Sequence, residues 1–309
     1  MVDSSAQYEK DAQDLRDSME GFGTNEEKIT AIIANRSNAD RQQIIKFYKS
    51  SFGEDLIADL KSELGGDFEK LVLALFQTHI DYDVTCLYNS MKGAGTDEDT
   101  LIEIIASRPT CQLKEIITSF QQKYGQSLEE FVADETSGDI KRMLISLLQC
   151  NRSENTNIDE DAARQDAQAL FDAGEGKWGT DESVFNKIFT LRSPMELLSI
   201  NQHYQDISGT TLLDAIDTEF SGDMHKLLKA VLYSLILPSQ YYATRIKKAV
   251  EGWGTNDSLL VRLIVSREEK DMAAIRNAYQ NMYGEDLLKV IADETSGDYK
   301  RLLLKLASH

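Results

Sequence analysis

The sequence predicts an all-α protein made of four homologous copies of one repeat in tandem, each folding into about five short helices. Three observations predict it. A short glycine loop recurs four times with fixed companions far downstream. Between those markers, apolar residues recur at three- and four-residue steps, as in Leu101, Ile104 and Ile105, then Leu113, Ile116, Ile117 and Phe120. Period-two alternation is missing, and only 3 prolines interrupt 309 residues.

The loop appears as Gly21-Phe22-Gly23-Thr24, Gly93-Ala94-Gly95-Thr96, Lys177-Trp178-Gly179-Thr180 and Gly252-Trp253-Gly254-Thr255. Twelve residues after each threonine stands an arginine: Arg36, Arg108, Arg192 and Arg267. Thirty-nine residues after it stands a glutamate: Glu63, Glu135, Glu219 and Glu294. Gly-Asp follows each glutamate, at Gly66-Asp67, Gly138-Asp139, Gly222-Asp223 and Gly297-Asp298. Asp139 opens a further amphipathic stretch through Ile140, Met143, Leu144, Leu147 and Leu148.

Successive threonines lie 72, 84 and 75 residues apart. The longer middle interval holds a polar segment, 151–161, which reads as a linker and pairs repeats one with two and three with four. The expected divisions are a short N-terminal segment 1–9, repeats 10–80 and 81–150, a linker 151–162, and repeats 163–237 and 238–309.

Each loop threonine occupies a position suited to a helix N-cap, and Thr24 with Glu27 forms the pattern of a capping box. Glycines before it permit positive φ, so the turn can aim several carbonyl oxygens at one point. Three carbonyls, one bidentate carboxylate and water make a hard-oxygen shell of the kind calcium takes. The glutamate comes from a distant helix end, placed there by the Gly-Asp that opens the next helix. A single Gly-x-Gly-Thr is ordinary turn chemistry. Its retention four times with a carboxylate at constant separation points to cation binding.

Charge and cysteine usage narrow the function classes. A net charge of −19 repels nucleic acid and anionic lipid, so a membrane role requires a bound cation. Cys86, Cys111 and Cys150 form no C-x-x-C pair and leave an odd thiol, which suits a reducing compartment. The longest apolar run, Ala230 to Leu237, is too short to span a bilayer, and the N-terminus lacks a secretory pattern. Cytoplasmic residence is expected on that basis, with an extracellular pool left open. His79, His203, His225 and His309 share no spacing with the cysteines that suggests zinc or a catalytic pair, and no nucleophile–base set marks an enzyme.

Met91-Lys92-Gly93-Ala94-Gly95-Thr96-Asp97-Glu98, Ile104-Ile105-Ala106-Ser107-Arg108 and Asp293-Glu294-Thr295-Ser296-Gly297-Asp298-Tyr299 resemble the annexin family, over essentially residues 8 to 309. The resemblance implies five-helix repeats in a curved disc whose convex face carries Ca2+ sites and docks reversibly on phosphatidylserine-rich membranes. It further implies roles in membrane organisation or vesicle traffic, and leaves self-assembly on the membrane open. It assigns carbonyls of Met19, Gly21 and Gly23 with Glu63; of Met91, Gly93 and Gly95 with Glu135; of Gly174, Lys177 and Gly179 with Glu219; and of Val250, Gly252 and Gly254 with Glu294.

Within that pattern Lys92 and the aromatic loop tips Phe22, Trp178 and Trp253 are expected membrane contacts. Glu20 and Glu251 replace the lysine in repeats one and four. The family also suggests an ion pathway, with Asp83, Glu103, Arg108 and Arg262 at its central charges, but Cys86 stands where a further acid is expected. The four repeat arginines read as structural ion pairs. A membrane–cytoskeleton scaffold remains a compatible alternative. Recruitment of an EF-hand partner is not expected, because the segment up to about Tyr8 is too short for a partner-binding helix.

Overall fold

The computed structural model describes residues 4–21, 23–176, 179–252 and 254–309. Phe22, Lys177, Trp178 and Trp253 lie outside them. Twenty helices and no strands occupy the described residues, five helices to a repeat. Repeat one holds α1 (Ser4–Met19), α2 (Glu26–Ile33), α3 (Asn38–Phe52), α4 (Leu56–Glu63) and α5 (Gly66–Leu75). Repeat two holds α6 (His79–Met91), α7 (Glu98–Ser107), α8 (Thr110–Tyr124), α9 (Leu128–Glu135) and α10 (Gly138–Leu148). Repeat three holds α11 (Glu160–Ala173), α12 (Glu182–Leu191), α13 (Pro194–Ser208), α14 (Leu212–Glu219) and α15 (Gly222–Ile236). Repeat four holds α16 (Pro238–Val250), α17 (Asp257–Arg267), α18 (Met272–Tyr283), α19 (Leu287–Glu294) and α20 (Gly297–Ala307).

Local chemistry starts and stops these helices. Ser37 with Asp40, Ser193 with Glu196 and Thr211 with Asp214 close capping boxes. Left-handed Gly53, Gly125, Gly209 and Gly284 end the third helix of every repeat. The apolar positions of repeat two behave as their spacing predicts. Leu101, Ile104, Ile105, Leu113, Ile116 and Phe120 are buried, whereas Ile117 and Ile140 are half-buried at the edge of the stripe.

The chain forms two compact units, and their membership corrects the pairing read from the linker. One unit joins residues 1–82 with 242–309, hence repeats one and four, and the other is residues 83–241. In the first, α17 packs on α5 and α20 on α2; in the second, α15 packs on α7 and α10 on α12. Segment 151–159 connects repeats two and three inside one unit. The Arg152 guanidinium donates to the carbonyls of Phe189 and Arg192 (2.7 and 2.6 Å), and the Ser153 N–H donates to Leu191 O (2.7 Å). Those carbonyls are the orphans at the end of α12, so the polar run is spent on capping a helix within its own unit. Burial lowers the Arg152 pKa to about 10.

The N-terminal segment runs on into the first repeat. From Ser4 onward it is already α1, held by Gln7 donating to Asp11 (2.8 Å) and by the Tyr8 hydroxyl donating to Asp40 (2.6 Å). The repeat arginines are structural, as their pattern suggested. Arg36 clasps Asp11 (2.6 and 3.1 Å), Arg108 clasps Asp83 (2.7 and 2.8 Å), and Arg192 clasps Asp166. In repeat four the matching position is Tyr242. Arg267 therefore lies over the Tyr242 ring, 4.2 Å from its centroid, and pairs with Asp271 instead (2.7 Å). The Asp83–Arg108 pair is buried, and Arg108 Nη1 also donates to Ser107 Oγ (3.0 Å).

Candidate metal centres

Each glycine loop begins where a helix ends. Met19, Met91 and Val250 are the last residues of α1, α6 and α16, and Gly174 caps α11. Carbonyls in a last helical turn lack intrahelical partners, and the helix dipole makes that end partially negative, which favours a cation. A backbone hydrogen bond pins the base of every loop. Asn25 N donates to Ser18 O (2.8 Å), Asp97 N to Ser90 O (2.8 Å), Asp181 N to Ala173 O (2.8 Å) and Asn256 N to Ala249 O (2.7 Å). The third loop thus encloses one residue more than the others, as its sequence suggested. Gly93 and Gly95 turn the second loop at φ 112° and 92°, a backbone region that side chains with a Cβ rarely enter.

The threonines do not cap the next helix. That role belongs to the residue after each: Asn25, Asp97, Asp181 and Asn256 accept from the N–H groups of Lys28, Thr100, Ser183 and Leu259. The Thr24–Glu27 capping box is accordingly not formed. Instead the threonine hydroxyls reach the distant glutamates. Thr24, Thr96 and Thr180 Oγ1 donate to Oε2 of Glu63, Glu135 and Glu219 at 3.1, 3.2 and 3.1 Å. Thr255 Oγ1 donates to the main-chain oxygen of Glu294 at 3.1 Å.

Every one of those glutamates is the last residue of an eight-residue helix, α4, α9, α14 or α19. Two helix C-terminal ends therefore meet at each loop. In repeat three the approach is close enough to demand glycine: a Cβ on Gly174 would stand 3.6 Å from Glu219 Cγ and 3.5 Å from the Phe185 ring. The aspartate of Gly-Asp lies in the first turn of the following helix rather than at its cap. It pairs there with a base three residues on: Asp67 with Lys70, Asp139 with Arg142, Asp223 with Lys226 and Asp298 with Arg301.

The donor set fits calcium. Its predicted members are exposed or half-buried main-chain carbonyls, apart from buried Met91, Gly174 and Val250, whose carbonyls stand at helix ends. No Lys, Arg or His among the described residues pairs with Glu63, Glu135, Glu219 or Glu294, so each carboxylate keeps its charge available. Among the described residues no three His, Cys, Asp or Glu side chains cluster, which excludes a carboxylate cage or thiolate site there. Of the third loop's predicted donors, Lys177 lies outside the described residues.

The surroundings of the loops differ between repeats. Exposed Lys92 has its ammonium 5.4 Å from the centroid of Tyr88, whose ring stacks on Tyr124 at 3.8 Å. Glu20 is engaged by Arg16 (3.0 Å), and Arg16 lies over the Phe52 ring at 4.5 Å. Of the histidines, His203 meets Glu160 (2.9 Å) and His225 meets Asp217 (2.6 Å), both away from any cysteine partner.

Four helical repeats, each with a glycine loop tied to its own helix-terminal glutamate, define a class of array proteins with exposed hard-oxygen sites. The chain belongs to the annexin family: the family's model, Annexin, matches residues 10–75, 82–147, 165–231 and 241–306. It is 44% identical to human annexin A11 over 297 residues, covering 96% of this chain and 59% of that protein. It is 47% identical to bovine annexin A5 over 296 residues, covering 96% of this chain and 92% of that protein. The chain thus spans little more than half of annexin A11 but most of annexin A5.

Among solved structures, one titled annexin III superposes with a TM-score of 0.95 at 39% identity, over 98% of this chain and 94% of that one. A calcium-bound annexin (Sm)1 superposes at 0.87 and 34% identity, over 98% and 90%. Annexins associate with membranes in a calcium-dependent way and are not enzymes. No helix among the described residues is long and apolar enough to cross a membrane.

Proposed function

We propose that this chain binds acidic phospholipid membranes reversibly and in a calcium-dependent way, through calcium held in its loops. The observation that carries the reading is the fourfold junction of a glycine loop, a helix C-terminus and a glutamate free of any described cationic partner. Carbonyls of Met19, Gly21 and Gly23 with Glu63, and the equivalent sets Met91, Gly93, Gly95 and Glu135, Gly174, Lys177, Gly179 and Glu219, and Val250, Gly252, Gly254 and Glu294, hold the cation. Each set supplies fewer oxygens than the six to eight calcium takes, leaving positions for water or lipid phosphate. A bound Ca2+ supplies the positive charge that a protein of net charge −19 lacks. Phosphatidylserine is the preferred lipid on this reading, and the chain works from the cytoplasm.

Sedimentation with phosphatidylserine vesicles across a calcium titration tests this. The chain pellets as calcium rises and is released by chelator. Failure to pellet at millimolar calcium overturns the reading.

Lys92 adds a prediction of its own. A lysine beside the membrane contributes about 1 kcal/mol, roughly a fivefold change in affinity, without calcium. Lys92→Ala is therefore expected to remove most of the residual binding measured in chelator at low salt, while Glu20→Lys raises it. Equal effects of substitutions in every loop contradict this. The loop-tip Trp178 and Trp253 are the only tryptophans. We propose that both enter the headgroup layer, so their emission shifts to the blue when calcium and vesicles are both present. An unchanged spectrum refutes that placement.

A further inference from the structure

We infer that the loop threonine is the positioning residue of each calcium site, and that repeat four, where it does not hold the carboxylate, fills last. This rests on the calcium reading above and deepens it.

A glutamate side chain has three freely rotating torsions, and fixing it as a ligand costs conformational entropy. In repeats one to three that ordering precedes the cation. Thr24, Thr96 and Thr180 donate to Oε2 at 3.1, 3.2 and 3.1 Å, while Oε1 and the remaining lone pair of Oε2 stay open. The donor is itself fixed, because the next residue in each loop is locked twice. Its N–H is bonded to the preceding helix and its side chain caps the following one. Loop and carboxylate are therefore set in register through one hydroxyl, across 39 residues of chain.

Repeat four keeps the backbone geometry of the loop, with Glu251 in place of Lys92. Gly252 and Gly254 turn at φ 112° and 88°, matching Gly93 and Gly95 at 112° and 92°. Asn256 N closes the loop on Ala249 O (2.7 Å), and Asn256 caps α17. The reach of the hydroxyl differs: Thr96 lies 3.2 Å from Glu135 Oε2 and 3.3 Å from its main-chain oxygen, whereas Thr255 meets the main-chain oxygen alone. Thr255 grips the Glu294 carbonyl oxygen, and among the described residues nothing hydrogen-bonds the Glu294 carboxylate. In this site the carboxylate must be ordered when the cation arrives, so its affinity is lower.

The test uses the full chain with a single competent site. In one parent Glu63, Glu219 and Glu294 are all changed to Gln, leaving repeat two; in the other Glu63, Glu135 and Glu219 are, leaving repeat four. Calcium chloride is titrated calorimetrically into each parent. The repeat-two parent is expected to bind about three- to tenfold more tightly, the range a charge-assisted hydrogen bond and one ordered side chain supply. Thr96→Val in the first parent erases that advantage, and Thr96→Ser, which keeps the hydroxyl, restores affinity to within about twofold. Thr255→Val in the second parent changes affinity by less than about twofold on the same grounds.

The calcium-free thermal midpoint of each variant is measured alongside, so that loss of fold is told apart from loss of positioning. Equal affinity of the two parents overturns the inference. So does Thr96→Val binding as its parent does, or Thr96→Ser as weak as Thr96→Val. If the unsubstituted chain takes up no calcium, the underlying reading falls and this one with it; uptake by that chain with unaffected threonine variants sinks this inference alone.

Discussion

Replacing Glu268 with alanine is expected to destabilise the chain by about 3–5 kcal/mol, the usual result of leaving one buried charge without its partner. Arg41 and Glu268 join repeat one to repeat four across 2.8 Å, each with its side chain 1% exposed. Three features make the pair costly to maintain. Burial pushes the Glu268 carboxyl up despite the attraction of Arg41. The guanidinium spends its Nε on Ile33 O (3.1 Å), and its Nη2 has no hydrogen-bond partner. The position of Arg41 in the repeat is filled by Leu113, Leu197 and Met272 elsewhere, all buried.

The position of Glu268 is likewise filled by Ser37, Pro109 and Ser193. The chain thus contains an uncharged alternative three times over. The double variant Arg41→Leu, Glu268→Ser is therefore expected to match or exceed the parent in stability, since a well-packed apolar replacement of a buried pair is neutral or stabilising by about 1–4 kcal/mol. Urea unfolding of parent, single and double variants checks both. A double variant as weak as Glu268→Ala would show that the pair contributes a net gain that leucine cannot replace.

The second large effect concerns the cation sites. Changing Glu63, Glu135, Glu219 and Glu294 together to glutamine is expected to raise the calcium needed for vesicle pelleting by on the order of 100-fold or more, because each set loses its one charged ligand. The fold is expected to survive. None of the four carboxylates pairs with a described cation, and in repeats one to three glutamine still accepts from the loop threonine. Glu130→Gln, on the exposed face of the same α9 that ends in Glu135, is the matched control and leaves the calcium requirement unchanged. Pelleting by the fourfold variant at the parent's calcium midpoint would remove the glutamates from the site.

Much of this was legible in the chain because a repeated unit exposes its own constraints. The positive-φ glycines, the helix-ending glutamates and the apolar stripes sit at fixed offsets, so one copy interprets the others. The N-cap falls one residue beyond the threonine, and threonine and the Asn or Asp after it are both competent caps. Choosing between them required seeing that the hydroxyl is drawn away to a carboxylate 39 residues on. The asparagine or aspartate after all four threonines was the available signal.

The pairing of repeats was not legible, because it depends on which helix faces meet. A polar run of linker composition reads as a boundary between units, whereas Arg152 and Ser153 bind it along the end of α12. Burial of Arg41 was equally hidden, since charge alone predicts a solvated side chain. The aspartates answering the repeat arginines were visible at constant offset, as was Tyr242 in place of the fourth, but only the structure joins them.

Calcium held jointly by the loops and lipid phosphate binds with different affinity in the presence and absence of membrane. If one ion is shared, binding of lipid and of calcium must strengthen each other by the same factor. Calorimetric titration of the chain with calcium chloride is therefore predicted to saturate at markedly lower calcium when phosphatidylserine vesicles are present, and to be unmoved by phosphatidylcholine vesicles. The same calcium midpoint in all three conditions would mean that the loops bind calcium without using it to reach the membrane.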